Sequence, residues 1–183
     1  MKSALIGGIG NVLLGDDGVG PYVIRLLESR YTFGENVDIV DLGTPALDLT
    51  HQIAARYSLI LLDSVASDDP PGTVVLYRRD DILCEAPAQR LDPHSPALSE
   101  CLLTADMLGA SPENVLLVGI VGESYEPGQQ LSKAVAQSVE AAIDAVLQEL
   151  GRLGFAFQKR PCPTEPGIWW ESYPSADSSA ILG

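Results

Sequence analysis

The sequence predicts an α/β fold, a three-layer sandwich in which a mostly parallel, twisted sheet of about five strands is flanked by helices. Three observations predict it. Short, continuous aliphatic runs such as Ala4 to Ile9 and Leu59 to Leu62 have the character of strands buried on both faces. Segments with apolar residues at helical spacing alternate with those runs. Three polar residues able to do chemistry, Asp17, Asp63 and His94, each stand directly after or just beyond an apolar stretch. The ends of parallel strands collect along one edge of a sheet, so residues far apart in sequence can meet there.

Taken in order, Ala4 to Ile9 is the first strand, ended by Gly10-Asn11. Val19, Val23, Leu26 and Leu27 then mark a helix, with Asp16-Asp17 able to cap it and Pro21 tolerated in its first turn. Val37 to Val40 predicts the second strand, followed by a helix from near Pro45 that carries Leu47, Ile53 and Ala54 inward and stops before Tyr57. Leu59 to Leu62 predicts a third strand closed by Asp63, and Thr73 to Tyr77, after the turn Pro70-Pro71-Gly72, a fourth. The stretch from Arg78 to Pro93 has no clear period and reads as loop with short helical pieces. Ser95-Pro96 reads as a helix start with Leu98, Cys101, Leu102 and Ala105 behind it. Val115 to Val121 is the fifth strand, and Leu131, Val135, Val139, Ala142, Val146 and Leu150 give a long amphipathic closing helix.

With 183 residues, 46% of them hydrophobic, the chain can fill one core and not two. The division expected is an α/β domain over residues 1–156 and a Pro/Ser/acidic tail over 157–183, without a core of its own and either loose or anchored through Trp169-Trp170. A formal charge of −14 argues against nucleic acid or anionic membrane as a partner and for a protein. Cys84, Cys101 and Cys162 are odd in number and contain no CxxC pair, which fits reduced thiols in cytoplasm. The first apolar run lacks a cleavage pattern, and nothing reaches the length of a membrane span. A monomer is the default expectation.

Several motifs bear on the chemistry. The opening Gly7-Gly8-Ile9-Gly10 invites a dinucleotide reading, but the third glycine of GxGxxG is replaced by Leu13. Asp16-Asp17-Gly18 lacks the spaced oxygen ligands of a calcium loop. What remains is a Gly-rich loop presenting two carboxylates at a helix N-terminus, either as caps or as anionic ligands. Asp63 ends an aliphatic run where an unpaired carboxylate would be costly to bury, so it needs a backbone amide, a metal or a reacting water. His94 precedes a helix start that favours the neutral imidazole a metal requires, whereas His51 lies among polar neighbours and reads as solvated. Asp41 and Thr44 end the second strand on the same edge, as cleft residues or as ordinary turn residues. Glu123 and Glu126 follow the fifth strand and read as a solvated loop.

These residues resemble the hydrogenase maturation endopeptidases, which process nickel-iron hydrogenase large subunits. Gly10-Asn11-Val12-Leu13-Leu14-Gly15-Asp16-Asp17-Gly18-Val19-Gly20-Pro21 is similar to the family's opening motif, and Asp41-Leu42-Gly43-Thr44 to its D-x-G-T box, with Leu42 where Gly is common. Leu61-Leu62-Asp63 and Asp92-Pro93-His94 fall where the family has its other two metal-site residues, and the similarity runs over residues 3 to 150. The resemblance implies metal contact by Asp17, Asp63 and His94, the first of these being Glu in some relatives, and a role for Asp41 in cleavage or recognition.

It further implies an endopeptidase that removes the C-terminal extension of the large-subunit precursor once nickel is inserted, so that nickel arrives with the substrate. One imidazole and two carboxylates form a modest open site able to complete the coordination of such a metal. Asp17 or Asp63 would accept a proton from the attacking water, and no serine or cysteine is paired with a positioned His to argue for an acyl-enzyme. Two other classes use the same trio: a peptidase or amidase of broader specificity with a resident zinc, and a non-catalytic nickel-binding maturation chaperone.

Overall fold

Every residue of β1 (Ala4–Ile9) is buried, as expected of an aliphatic strand covered on both faces. The computed structural model describes residues 2–45, 49–84, 88–89 and 98–172. After β1 come a 3₁₀ turn (Gly15–Gly18), α1 (Val19–Arg30), β2 (Tyr31–Phe33), β3 (Val37–Gly43), α2 (Leu49–Ile53), β4 (Ser58–Ala66) and β5 (Val74–Arg78). They are followed by α3 (Arg79–Cys84), β6 (Ala88–Gln89), α4 (Leu98–Met107), β7 (Asn114–Val121), α5 (Lys133–Leu153), β8 (Phe157–Lys159) and a second 3₁₀ turn (Trp169–Ser172).

The main sheet has the order β3-β1-β4-β7-β5, its first four strands parallel and β5 antiparallel at the edge, with the short β6 antiparallel on the end of β4. The expected α/β sandwich is therefore present. Period-two alternation along β1, β4 and β7 divides the core. Ile6, Ile60, Leu62 and Val118 pack with α1 and α5 on one face. Leu5, Leu59, Leu61 and Leu117 pack with α2, α3 and α4 on the other.

Three local expectations are corrected. β4 does not close at Leu62; it runs through Asp63 to Ala66 in register with β7, so Asp63 is a strand residue and not a loop residue. The helix after Pro45 ends before Tyr57, as expected, but it stops at Ile53 and does not carry Ala54, while Leu47 lies outside the described residues. It stops there because Ala55 takes φ 59° and turns the chain out of helical geometry, its N–H donating to the carbonyl of Ala110 at 2.7 Å. Asp16 and Asp17 do not cap α1, whose N-cap is Gly18 without a side-chain bond. The predicted Ser95-Pro96 start lies outside the described residues.

Two glycines fix how α1 meets the sheet. A Cβ on Gly20 would overlap the carbonyl oxygens of Ile9 and Leu62, so its absence lets α1 sit directly on β1 and β4. Gly10 has φ 137°, and a Cβ there would overlap the carbonyl of Asp17. The backbone that carries Asp17 thus folds back tightly over the end of β1.

On the far side, Glu149 of α5 is 3% exposed and accepts from Arg78 Nη1 at 2.7 Å and from Arg152 Nε and Nη2 at 2.9 and 2.8 Å. Burial alone would raise its pKa, but the hydrogen bonds from Arg152 and Arg78 override it and hold the carboxyl at about 2. A depressed carboxylate contributes stability that is full above its unfolded value of 4.5 and is lost as pH falls through about 2. Since both guanidiniums are half-exposed, Glu149→Gln is expected to cost about 2 kcal/mol at neutral pH. Denaturant titrations at pH 7 and pH 2 check it, the difference from the parent shrinking at the lower pH.

Beyond α5 the chain has few buried residues but a defined path. β8 pairs antiparallel with β2, Arg160 Nε donates to the carbonyl of Tyr31 at 3.1 Å, and Thr164 N donates to the carbonyl of Ser29 at 3.0 Å. Ile168 then packs on the α1–α5 core, so residues 157–172 are attached to the body instead of lying loose.

Candidate active site

From β1 the sheet order steps one way to β3 and the other way to β4 and β7. The carboxyl ends of β1 and β4 therefore bound a topological switch point, where open α/β sheets form their binding crevice. Asp17 lies in the turn after β1 and Asp63 near the end of β4, so the fold delivers both carboxylates to this crevice.

Asp63 alternates with Leu61 and Val65 and so faces the α2–α4 side; it is 4% exposed. Burial pushes its carboxyl well above the ordinary carboxylate range, the nearby charge of Asp17 pushes the same way, and a bond from the Ser64 amide opposes them. Asp17 is half-buried, and its Oδ2 accepts from the Asn11 N–H at 2.7 Å. Asn11 in turn accepts from the Leu13 N–H at 3.0 Å, so the loop orients its own carboxylate. Two like charges crowded in a desolvated place call for a proton or a cation between them.

The chemistry of the donor set suits a divalent cation: two carboxylate oxygens favour hard or borderline ions, and an added imidazole would suit nickel or zinc. Among the described residues, no three His, Cys, Asp or Glu side chains come together as a metal group. His94, the third expected ligand, lies outside the described residues.

Asp41 reaches the same edge but not the same pocket. Its register partner is Gly8, which places it on β3, two strand spacings or about 10 Å from β4. It faces α1, where Arg25 Nη2 lies 3.4 Å from its Oδ2 and the Gly43 N–H donates to its Oδ1 at 3.0 Å.

A family model described as hydrogenase maturation protease matches residues 21–149, a span that includes Asp41, Asp63 and His94. The chain belongs to the hydrogenase maturation protease family. The Hydrogenase 2 maturation protease of Escherichia coli K12 is 33% identical over 154 residues, covering 82% of this chain and 92% of that protein. The hydrogenase maturating endopeptidase HybD from E. coli matches in structure with a TM-score of 0.80 at 31% identity, over 86% of this chain and 98% of that one. HupD of Rhodobacter capsulatus, a hydrogenase expression/formation protein, is 29% identical over an alignment that covers all of this chain and 91% of its own. Family membership makes the protein a peptidase.

Within this maturation protease the two adjacent aspartates have separate tasks, which the sequence did not distinguish. Asp16 is fully buried and accepts from the backbone N–H of Glu123 at 2.7 Å, of Ser124 at 3.0 Å and of Ser132 at 2.6 Å. It clamps the Asp17 turn to the β7–α5 loop and is not available as a ligand. Glu123 and Glu126 are exposed, as expected of a solvated loop, and so is His51. Two residues escaped sequence reasoning altogether: Ser64, bonded to the Tyr125 hydroxyl at 2.9 Å, and Arg25 beside Asp41. A serine directly after a strand-end acid was the one available signal for the first; the second had none.

Proposed function

We propose that this maturation protease removes the C-terminal extension from a nickel-iron hydrogenase large-subunit precursor after nickel has been inserted, with the substrate's nickel as recognition element. The observation that carries the reading is a buried Asp63 near enough to feel the charge of Asp17 at the switch-point crevice of a hydrogenase maturation protease. Two carboxylates whose charges act on each other suit a cation that arrives with the substrate, and a protease completed only in that way does not cut early.

His94 joins Asp17 and Asp63 as the third ligand in this reading. Its support is that Gln89 of β6 pairs with Val65, two residues beyond Asp63, and that Leu98 is buried in the same cluster as Val65. His94 is four residues from Leu98, a reach of about 14 Å at full extension.

Bound nickel, held by the substrate, would polarise the scissile carbonyl. Asp63, the deeper carboxylate, would help to hold the cation. Asp17, at the mouth and fixed by the Asn11 amide, takes a proton from water as the water oxygen attacks, then returns it to the leaving amine as the C–N bond breaks. Asp41, on β3 and held by Arg25 of α1, serves recognition of the chain leading into the crevice. The protein acts as a cytoplasmic monomer; its cysteines are all free, and no described helix is long and apolar enough to cross a membrane.

Mass measurement of the precursor after incubation, with and without nickel, tests this. The expected result is loss of the C-terminal peptide from the nickel-loaded form alone. Cutting of nickel-free precursor or of generic peptides, stopped by chelators, would make it a resident-metal peptidase or amidase. Binding without shortening would overturn this precursor as the substrate of its peptidase activity.

A further inference from the structure

The C-terminal segment ends its described path against the turn that carries Asp17. Trp170 and Glu171 share a cavity wall with Val12, Gly15 and Gly18 of that turn region, and with Tyr22 of α1. The space left between them is about 10 Å³, roughly enough for one water. Gly15 and Gly18 are the first and last residues of the four-residue turn, and a Cβ on either would meet backbone, at the Ser124 carbonyl or at Val12. Trp170, half-buried, completes the wall of the cavity. Trp169 stacks edge-on against it at 5.7 Å between ring centroids while remaining 54% exposed. Glu171 is fixed in its own right, since its carbonyl accepts from Gln130 Nε2 at 3.3 Å and its carboxylate charge acts on Tyr22.

These contacts are not needed to attach the segment. The β2–β8 pair, the Arg160 bonds to the carbonyls of Glu28 and Tyr31, and the bond from the Thr164 N–H to the carbonyl of Ser29 have secured it upstream. What Trp170 and Glu171 add is a second hold on the Asp17 turn, made together with Gln129, Gln130 and Leu131 of the same β7–α5 loop to which Asp16 ties the turn. We infer that residues 157–172 form a strap whose end, Trp170 with Glu171, keeps the Asp17 turn in its working position, which makes Trp170 a positioning residue for the hydrolysis. This rests on the reading of Asp17 as a carboxylate of the reacting site.

The test is Trp170→Ala in the full chain, with hydrogen exchange of the amides from Asn11 to Gly18 measured beside precursor processing. Expected are exchange faster by about tenfold in that turn, a kcat lower by about 10-fold to 100-fold with KM little changed, and recovery of both in Trp170→Phe. Unchanged exchange in Trp170→Ala overturns the strap, and faster exchange with full turnover, where Asp17→Asn is inactive, overturns its positioning role. An Asp17→Asn variant run alongside keeps the two claims apart. Full turnover in that variant removes the reading of Asp17, whereas the exchange data judge the strap whatever Asp17 does.

Discussion

Asp63→Asn is expected to lower processing of the nickel-loaded precursor by about 10³-fold or more while making the protein more heat-stable. The loss follows from removing a carboxylate that the reaction needs beside Asp17. The gain follows from the same burial that makes Asp63 costly: desolvation first, then the Asp17 charge, hold its pKa well above the ordinary 3.8. A carboxyl whose pKa rises on folding binds its proton more tightly in the folded state. The parent therefore loses stability as pH climbs from about 3.8 toward the raised folded value, and the asparagine variant does not. Thermal midpoints across that range check the sign. Parent and variant should nearly coincide in strong acid, and the variant should lead increasingly as pH rises, by about 2–4 °C for each kcal/mol relieved in a chain of this size. A difference that stays flat with pH would refute the account of burial, and full processing by the variant would refute the role in catalysis.

The same residue shows how far the sequence could be read. That Asp17 and Asp63 meet was legible, because both follow aliphatic runs and parallel strands end on a common edge. That Asp63 lies inside β4 was not. A run of four aliphatic residues reads as a complete strand, and nothing local announces that the next polar residues continue in register with Gly119, Ile120 and Val121 of β7. The antiparallel course of β5 was hidden for a similar reason, since its β-branched pattern is the same in either direction. β2 and β8 are three residues each, partly or wholly exposed, and carry no hydrophobic period to detect. The attachment of the C-terminal segment rests on backbone bonds to Ser29, Arg30 and Tyr31, which leave little trace in residue type.

Asp16 was equally hidden, and it carries the largest expected effect on stability. Its partners are the amides of Glu123, Ser124 and Ser132, more than a hundred positions along the chain, and nothing in Asp16-Asp17 separates the clamp from the reacting group. Asp16→Ala leaves three inward-facing N–H groups without an acceptor, at about 1–3 kcal/mol each before water enters. With partial relaxation of the loop the total expected is about 3–5 kcal/mol, or roughly 10 °C in Tm. Asp16→Asn keeps one carbonyl-type acceptor but turns an NH₂ toward an N–H, so it too should destabilise, by about half as much. Asp17→Asn keeps an oxygen for the Asn11 amide and removes the charge that repels Asp63, so its Tm should hold or rise even as processing stops. Adjacent, chemically identical side chains are thus expected to give opposite results under the same substitution. Calorimetry of the two asparagine variants decides it: equal loss of stability in both would mean that the clamp and the reacting carboxylate are not divided between Asp16 and Asp17.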